Sequence, residues 1–352
     1  MPDQPRDYLI IGQGLAGSLL AWFFLQAGKK IVIIDPQEEK TCSRVAAGLI
    51  HPVTGRRIVK TWNADLFIPF ARKTYTLIED KLGERFFEDY PVLELYNDAG
   101  HRNDWTGRSA DQGMDRYIQD ECSATEVPDG LQAPLGGRWV VNGGWLDTGR
   151  FLDALRKYLD GEGVLIQDRL LYDDLEFGNN CVRWKNQVAD KIIDCSGADA
   201  IFQEKFRSLP FNPCKGEVIR FRAEGLPRDL VVHGAVKIIP IGGNDYIAGA
   251  TYDFNHINSH CTPEGLEKIE LALQKMISVP YFILAHDAAI RPSTSDRRPL
   301  LGPIDRDGLF HVFNGLGSKG ALLGPWMANY YSDCLIRNQE IFPELQALRM
   351  AK

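Results

Sequence analysis

The sequence predicts an α/β fold, and three observations lead to that prediction. An apolar strand, a glycine loop, a helix and a second apolar strand follow one another in "YLIIGQGLAGSLLAWFFLQAGKKIVIID", residues 8–35. The glycine spacing recurs near the C-terminus in "NGLGSKGALLG", residues 314–324. The chain has 352 residues, of which 44% are hydrophobic, so it is long enough to bury the cores of two domains.

The first of these segments has every part of a Rossmann-like dinucleotide-binding unit. Gly12 is expected to form the tight turn, and Gly14 allows the backbone to approach a pyrophosphate. Gly17 lets the helix pack closely on the strand, and the helix ends at Gly28. Asp35 follows Gly17 by 18 residues, which is the spacing of an acid that binds a ribose. Such an acid disfavours a 2′-phosphate, so the ligand is FAD or NAD rather than NADP.

The residues after Asp35 favour FAD over NAD. An NAD-dependent dehydrogenase would continue with alternating helices and parallel strands. This chain continues instead with the small residues of "CSRVAAGLIHP" (42–52), a long helical stretch (64–83) and a turn-rich region.

At these residues the chain resembles the D-amino-acid oxidase and glycine oxidase family of FAD-dependent amine oxidases. "SRVAAGLIHP" is similar to the family's second FAD motif, and "DKIIDCSGADA" to the turn that closes over FAD. The family's order continues through "GGWLDTGRFLDAL", "GVLIQDRLLYDDL", "PCKGEVIRF", "YIAGATYD", "RPSTSDRRPLLGP" and "GLGSKGALLGP".

The resemblance implies a discontinuous Rossmann-like FAD-binding domain and an α+β substrate domain built on a largely antiparallel sheet. We expect the FAD domain to comprise residues 1–80, 140–205 and 286–352, and the substrate domain residues 81–139 and 206–285. Two polar segments, 101–116 and 251–265, are predicted to be connections, either of which would suit a lid.

The first glycine loop and the resemblance together give the expected FAD contacts. These are Gly12, Gly14, Leu15, Ala16, Gly17, Asp35, Pro36, Ser43, Arg44, Ala46, Ala47, Gly48, Leu49, Leu171, Cys195, Ser196, Gly197, Arg291, Gly315, Leu316, Gly317, Ser318, Lys319 and Gly320.

The late glycine loop is predicted to serve the same FAD rather than a second dinucleotide. A second Rossmann unit needs another strand with an acid, and no apolar strand follows Arg337. The resemblance places the loop's N–H groups and the next helix N-terminus at the flavin, where negative charge develops on reduction. Lys319 would add a positive charge there, or would be an ordinary solvated lysine.

Three residues are candidates for the substrate end. The resemblance implies that Arg291 holds a substrate carboxylate, for which a planar guanidinium is suited. The alternative is an ion pair of Arg291 with Asp287 or Asp296. His51 is either a polar contact for the substrate amine or a structural residue. Lys237 lies at a position where the resemblance implies an aromatic residue, as in glycine-oxidase-like members of the family.

The function implied is hydride transfer to flavin N5 from the carbon beside an amine, followed by hydrolysis of the imine. The substrate would be a small amino acid or an N-substituted glycine. One alternative is oxidative trimming of a carboxymethylamino group on tRNA, since "GLGSKG" also resembles the oxidase half of a bifunctional tRNA-modifying enzyme. Another is a flavin-binding protein without amine oxidation.

Composition narrows the remaining possibilities. The net charge of −7 disfavours a nucleic-acid partner, although "TGRRIVK" and "SDRRP" are short basic clusters. We find no leader-like N-terminus and no apolar stretch long enough to span a membrane. Seven scattered cysteines without a C-x-x-C pair predict a cytoplasmic protein with no metal site. The electron acceptor, covalent attachment of FAD and the oligomeric state stay open.

Overall fold

The computed structural model describes residues 6–55 and 57–350. Helices and strands are numbered in chain order. The helices are α1 (Leu15–Gln26), α2 (Cys42–Val45), α3 (Ala64–Leu82), α4 (Ala99–Ser109), α5 (Thr148–Gly161), α6 (Pro263–Gln274) and α7 (Gly320–Arg337).

The first of two large sheets has a parallel centre. Its strands are β1 (Arg6–Ile11), β2 (Ile31–Asp35), β11 (Leu165–Gln167), β12 (Leu175–Phe177), β13 (Val182–Trp184), β14 (Gln187–Asp194), β20 (Leu300–Pro303) and β21 (Phe310–Asn314). The parallel run has the order β11-β2-β1-β14-β21. β12, β13 and β20 extend it with antiparallel pairings.

The second large sheet is antiparallel except where β7 meets β16. Its strands are β7 (Val92–Leu95), β8 (Ile118–Cys122), β9 (Gly137–Val140), β15 (Cys214–Ala223), β16 (Val231–His233), β17 (Lys237–Gly242), β18 (Asp245–Gly249) and β19 (Tyr281–Arg291). Their order is β19-β15-β18-β17-β16-β7-β9-β8.

Two smaller groups of strands complete the fold. They are β3 (Leu49–Ile50), β6 (Phe87–Glu88) and β10 (Gly144–Leu146) in one sheet, and β4 (Val53–Thr54) with β5 (Val59–Lys60) in another. The predicted α/β fold with a largely antiparallel second sheet is confirmed. The domain boundaries stay a prediction, and β19 runs past the expected boundary at residue 285 to end at Arg291.

The helices α1 and α7 pack side by side beneath the parallel strands. Gly324 of α7 lies so close to α1 that a Cβ there would be 2.8 Å from Cδ1 of Leu19. The Tyr75 hydroxyl of α3 donates to the Ala321 carbonyl at 2.7 Å and ties a third helix to this pair. These contacts fix the starting points of both helices at the same edge of the first sheet.

One face of the second sheet packs in a hydrophobic core, and the other face is directed towards the first sheet. Side chains such as Ile219, Ile238 and Ala248 pack in a core that includes Ile269 and Leu273 of α6. Because successive side chains of a strand point to opposite faces, their neighbours along the strands face the other way, towards the first sheet.

One of the two predicted connections was wrong. Residues 99–109 form α4, which begins after Asp98, whose side chain accepts a hydrogen bond from the His101 N–H at 2.7 Å. Trp105 is the buried residue of this polar helix. The second segment is irregular until α6 begins at Pro263.

Gly17→Ala tests the close packing of α1 on the parallel sheet. A Cβ at Gly17 would lie 1.9 Å from the Gly12 carbonyl oxygen, so backbone must move. Overpacking of this kind costs about 1–3 kcal/mol, and we expect a lower midpoint in thermal unfolding followed by circular dichroism. Gly107→Ala is the matched control, because the space around this helical glycine is open. It should raise stability slightly, by ~0.5–1 kcal/mol. Equal effects of the two substitutions would contradict the packing argument.

Candidate functional site

A cavity of about 730 Å³ lies at the carboxyl edge of the parallel strands. β2, β1, β14 and β21 all end at it, and Asp35, Gly12, Cys195 and Asn314 line its wall. In open α/β sheets, ligands bind at this edge, where neighbouring strands connect to opposite sides. The second sheet covers the other side, so the cavity lies between the two sheets.

Two helix N-termini open into this cavity, and neither is capped by the side chain of the residue that precedes it. Gly14 precedes α1 and Lys319 precedes α7, and neither forms a side-chain capping bond. No acidic residue occurs in the first turn of either helix. Backbone N–H groups and the positive ends of two helix dipoles therefore face one cavity, an arrangement that favours an anionic ligand.

Asp35 lies at the end of β2, where the sequence places the ribose-binding acid. Its Oδ2 accepts from the Gln13 N–H at 2.8 Å, and its Oδ1 accepts from the Gln37 N–H at 2.8 Å. Arg156 of α5 pairs with Oδ1 at 3.0 Å. Arg156 was not predicted, since it lies more than a hundred residues from Asp35 along the chain and no local pattern marks it. The carboxylate is thus held firmly, and Asp35 still contributes to the wall of the cavity.

The segment after Asp35 closes against the first glycine loop. The Ser43 hydroxyl accepts from the Leu15 N–H at 3.1 Å, so α2 abuts the start of α1. A Cβ at Gly14 would be 3.1 Å from the same oxygen. Further along, Gly48 has a φ of +68°, and a Cβ there would be 1.9 Å from the Leu146 carbonyl oxygen. Glycine is required at this turn.

Most of the predicted cofactor contacts line the cavity, and three do not. Gly17 faces the strand, Gly315 packs on Thr294 and Leu300, and Arg44 turns outwards to Asp153 at 2.7 Å. The predicted residues that line the cavity are Gly12, Gly14, Leu15, Ala16, Asp35, Pro36, Ser43, Ala46, Ala47, Gly48, Leu49, His51, Leu171, Cys195, Ser196, Gly197, Lys237, Arg291, Leu316, Gly317, Ser318, Lys319 and Gly320.

A row of residues crosses the second sheet on the face that covers the cavity. Strand register places Val218 opposite Gly249, Gly249 opposite Lys237, and Lys237 opposite His233. His233 in turn lies beside Glu94. In-register neighbours on one face have Cβ atoms about 5 Å apart. The sequence analysis identified only Lys237 of this row. The other members were missed because the strands that bring them together are paired over long distances along the chain.

Arg291 ends β19 and turns its guanidinium into the cavity. It donates to the carbonyls of Lys215 at 3.3 Å and Thr251 at 3.2 Å, and it stacks 4.6 Å from the Tyr252 ring centroid. Gly216 makes room for it, because a Cβ there would lie 2.0 Å from Nη2. These partners are all neutral, so the positive charge of Arg291 is not balanced by a carboxylate in the described part of the chain.

The alternative ion pairs of Arg291 do not form. Asp287 pairs with Lys40 at 3.0 Å and Arg220 at 3.5 Å. Asp296 pairs with Arg349 at 2.8 Å.

Two histidines of the cavity wall share the buried carboxylate of Glu94. His51 Nε2 lies 2.6 Å and His233 Nδ1 2.8 Å from Glu94 Oε1. Burial alone raises the pKa of Glu94, but the histidines outweigh it and hold that pKa well below its ordinary value. His51 Nδ1 accepts from the Val53 N–H at 3.0 Å, so both of its nitrogens are engaged. This favours the structural interpretation of His51.

His233 is the histidine that retains a free nitrogen. Its Nδ1 bonds to Glu94, and over the described ranges Nε2 has no hydrogen-bond partner. Sequence analysis did not identify His233, which ends a three-residue strand with no motif around it.

Lys319 is mostly buried and lacks an acidic partner among the described residues. Its ammonium donates to the hydroxyls of Thr54 at 2.9 Å and Thr61 at 3.0 Å. Burial, together with the positive charges of Arg297, Lys237 and Arg298, lowers the pKa of Lys319 to about 8. A positive charge therefore stands at the N-terminus of α7 at neutral pH.

The residues around the cavity fit a flavin dinucleotide. The N-terminus of α1, where Ser43 accepts from only the first N–H, suits a pyrophosphate, and Asp35 suits a ribose hydroxyl. Lys319 and the start of α7 suit a second group that becomes negatively charged.

Within residues 6–55 and 57–350, no helix combines the length and the hydropathy that crossing a membrane requires.

Comparison with known proteins agrees with this geometry. A family model described as "FAD dependent oxidoreductase", named DAO, matches residues 7–334. The bifunctional protein MnmC of tRNA 5-methylaminomethyl-2-thiouridine biosynthesis from Marinobacter nauticus is 25% identical over 92% of this chain and 54% of its own length. The bifunctional protein ThiO/ThiG from Synechocystis is 26% identical over 97% of this chain and 53% of its own. The chain thus spans about half the length of these relatives.

Solved structures give the same fold. The glycine oxidase of Bacillus cereus superposes with a TM-score of 0.79, covering 95% of this chain and 96% of that one, at 19% identity.

Proposed function

The chain belongs to the DAO family of FAD-dependent oxidoreductases, and we propose that it oxidises the C–N bond of a small amino acid or an N-substituted glycine. FAD is its cofactor. The observation that carries the proposal is the unbalanced positive charge of Arg291 in the cavity wall, beside Gly216 and Tyr252. A carboxylate is the group that a planar guanidinium binds best.

The proposed reaction removes two electrons from the substrate. Bound FAD supplies the acceptor for the hydride that leaves the substrate Cα. The nitrogen lone pair then forms a C=N bond, and the N–H proton of the resulting iminium passes to water. Addition of water to the imine gives a carbonyl compound and a free amine.

The chain's own residues bind and orient the substrate. Arg291 fixes the carboxylate, and Tyr252 holds the guanidinium in place by stacking on it. A substrate held at one end presents its Cα in a fixed direction, which lowers the entropic part of the barrier. His233 Nε2 is available as a hydrogen-bond partner for the substrate nitrogen. Lys319 and the N-terminus of α7 stabilise the negative charge that accumulates as electrons arrive.

Oxidative trimming of a modified tRNA is the second candidate. The MnmC protein of Marinobacter nauticus matches 92% of this chain, and an N-substituted glycine on uridine would present the same carboxylate to Arg291. The net charge of −7 weighs against an RNA surface, and Arg56 of the basic cluster "TGRRIVK" lies outside the described residues.

Arg291→Met tests the carboxylate contact. Glycine, sarcosine, D-alanine and proline are each added anaerobically to the FAD-loaded protein, and bleaching of the visible flavin spectrum is recorded. Loss of charged hydrogen bonds should slow reduction by the active amine on the order of 100-fold, while FAD stays bound. Arg44→Met is the control, because Arg44 faces Asp153 outside the cavity. Unchanged reduction in Arg291→Met would remove the carboxylate contact and favour a flavoprotein without amine oxidation.

Lys319→Met tests the charge beside the flavin. Lys319 is protonated below its pKa of about 8 and loses its charge above it. We expect the flavin midpoint potential of Lys319→Met to lie ~30 mV or more below that of the wild type at pH 7, an interaction of about 1.4 kcal/mol for two electrons. At pH 9 the difference should largely vanish, because the wild-type lysine is then mostly neutral. A difference in midpoint potential that persists at pH 9 would show that the charge of Lys319 does not cause it.

Retention of tRNA separates the two candidate functions. A filter assay at physiological salt should find no measurable binding of tRNA to the FAD-loaded protein, since the chain is acidic overall. Retention that falls as salt is raised would favour the tRNA candidate instead.

A further inference from the structure

Lys237 is a second positive charge of the cavity wall without an acidic partner. It is half-buried on β17 and lines the cavity. Its positive charge is felt by His51 and Lys319, and both of these neighbours are themselves basic. Across the described ranges, no carboxylate lies within ion-pairing distance of its ammonium.

The acid nearest along the row, Glu94, is not available to Lys237. His51 and His233 already share Glu94 Oε1. His233 lies between Glu94 and Lys237 in the register of the sheet. The negative charge of Glu94 is therefore paired with the two histidines, and the positive charge of Lys237 has no carboxylate to balance it.

Lys237 and Arg291 flank an open strip of the sheet. Gly249 pairs with Lys237, and the carbonyl of Thr251, two residues further on, accepts from Arg291. Gly249 has no side chain and lines the cavity between them. One strand spacing, about 5 Å, separates Gly249 from Lys237 in the ladder. A lysine side chain is long enough to reach across that spacing.

We propose that Lys237 is a second anion-binding subsite and that the substrates are amines bearing two carboxylates, one on Arg291 and one on Lys237. This rests on the proposed function for the oxidation step, but the subsite itself is a binding property. A second carboxylate would balance the charge that the protein leaves unpaired at Lys237. An N-carboxymethyl amino acid has this form, with two carboxylates on either side of one nitrogen.

Binding of two ether analogues tests the subsite without any oxidation. Diglycolate has two carboxylates, and methoxyacetate has one and a methyl group in place of the other. Their dissociation constants for the FAD-loaded protein are measured by the change in the visible flavin spectrum. Diglycolate should bind more tightly by ~10-fold to 100-fold, as expected for one added charged hydrogen bond.

The substitution Lys237→Met should reduce that preference to nearly one, while Lys237→Arg should retain it. Lys157→Met is the matched control on the surface of α5 and should leave the preference intact. Equal binding of the two probes, no binding of diglycolate, or a preference that survives in Lys237→Met would each overturn the proposal.

Anaerobic reduction by iminodiacetate, compared with sarcosine, extends the test to substrates. Iminodiacetate should reduce the flavin with the higher ratio of rate to dissociation constant, and Lys237→Met should abolish that advantage. A Lys237-dependent preference for diglycolate with no reduction by any amine would support the subsite and refute the proposed function. Reduction of the flavin by both amines, without a Lys237-dependent preference for diglycolate, would support the proposed function and refute the subsite.

Discussion

The uncapped N-termini of two helices are the constraint on which the rest of this structure depends. Each leaves backbone N–H groups without intrahelical partners, and burying such groups without a partner is costly. Both face one cavity because α1 and α7 pack closely, with glycine at the crossing. An anionic ligand satisfies both ends at once. The fold therefore keeps an incomplete set of hydrogen bonds at the edge of its parallel sheet, and a dinucleotide completes it.

The charges around the cavity follow the chemistry of such a ligand. The part near Asp35 also contains Glu38 and Asp199, where neutral sugar hydroxyls and a base are expected. Burial and the charge of Glu38 raise the pKa of Asp199. The part beneath the second sheet contains Lys237, Lys319 and other basic groups instead. The positive charges of this part attract anionic substrates, and they also stabilise the negative charge of a reduced flavin.

Local sequence was sufficient for the strands and the glycine loop of the cofactor edge, and insufficient for contacts between distant segments. The order strand, glycine loop, helix, strand and acid is contained in residues 8–35, so it identifies β1, α1 and β2 directly. Arg156 and His233 were not found, because their partners lie more than a hundred residues away along the chain. The helix α4 was missed because its face is nearly all polar, although Asp98 is a capping residue.

The row of Val218, Gly249, Lys237 and His233 across the second sheet determines which substitutions the cavity tolerates. Each member stands on a different strand, and its backbone is held by the ladder whatever its side chain is. Val218 and Lys237 can therefore be replaced singly without a change in the backbone ladder, whereas replacement of His233 removes one of the two partners of the buried Glu94 carboxylate. The glycine loops that face the cofactor lie on the first sheet, and the replaceable side chains lie on the second. The ligand side of the cavity can thus be altered while the cofactor side keeps its contacts.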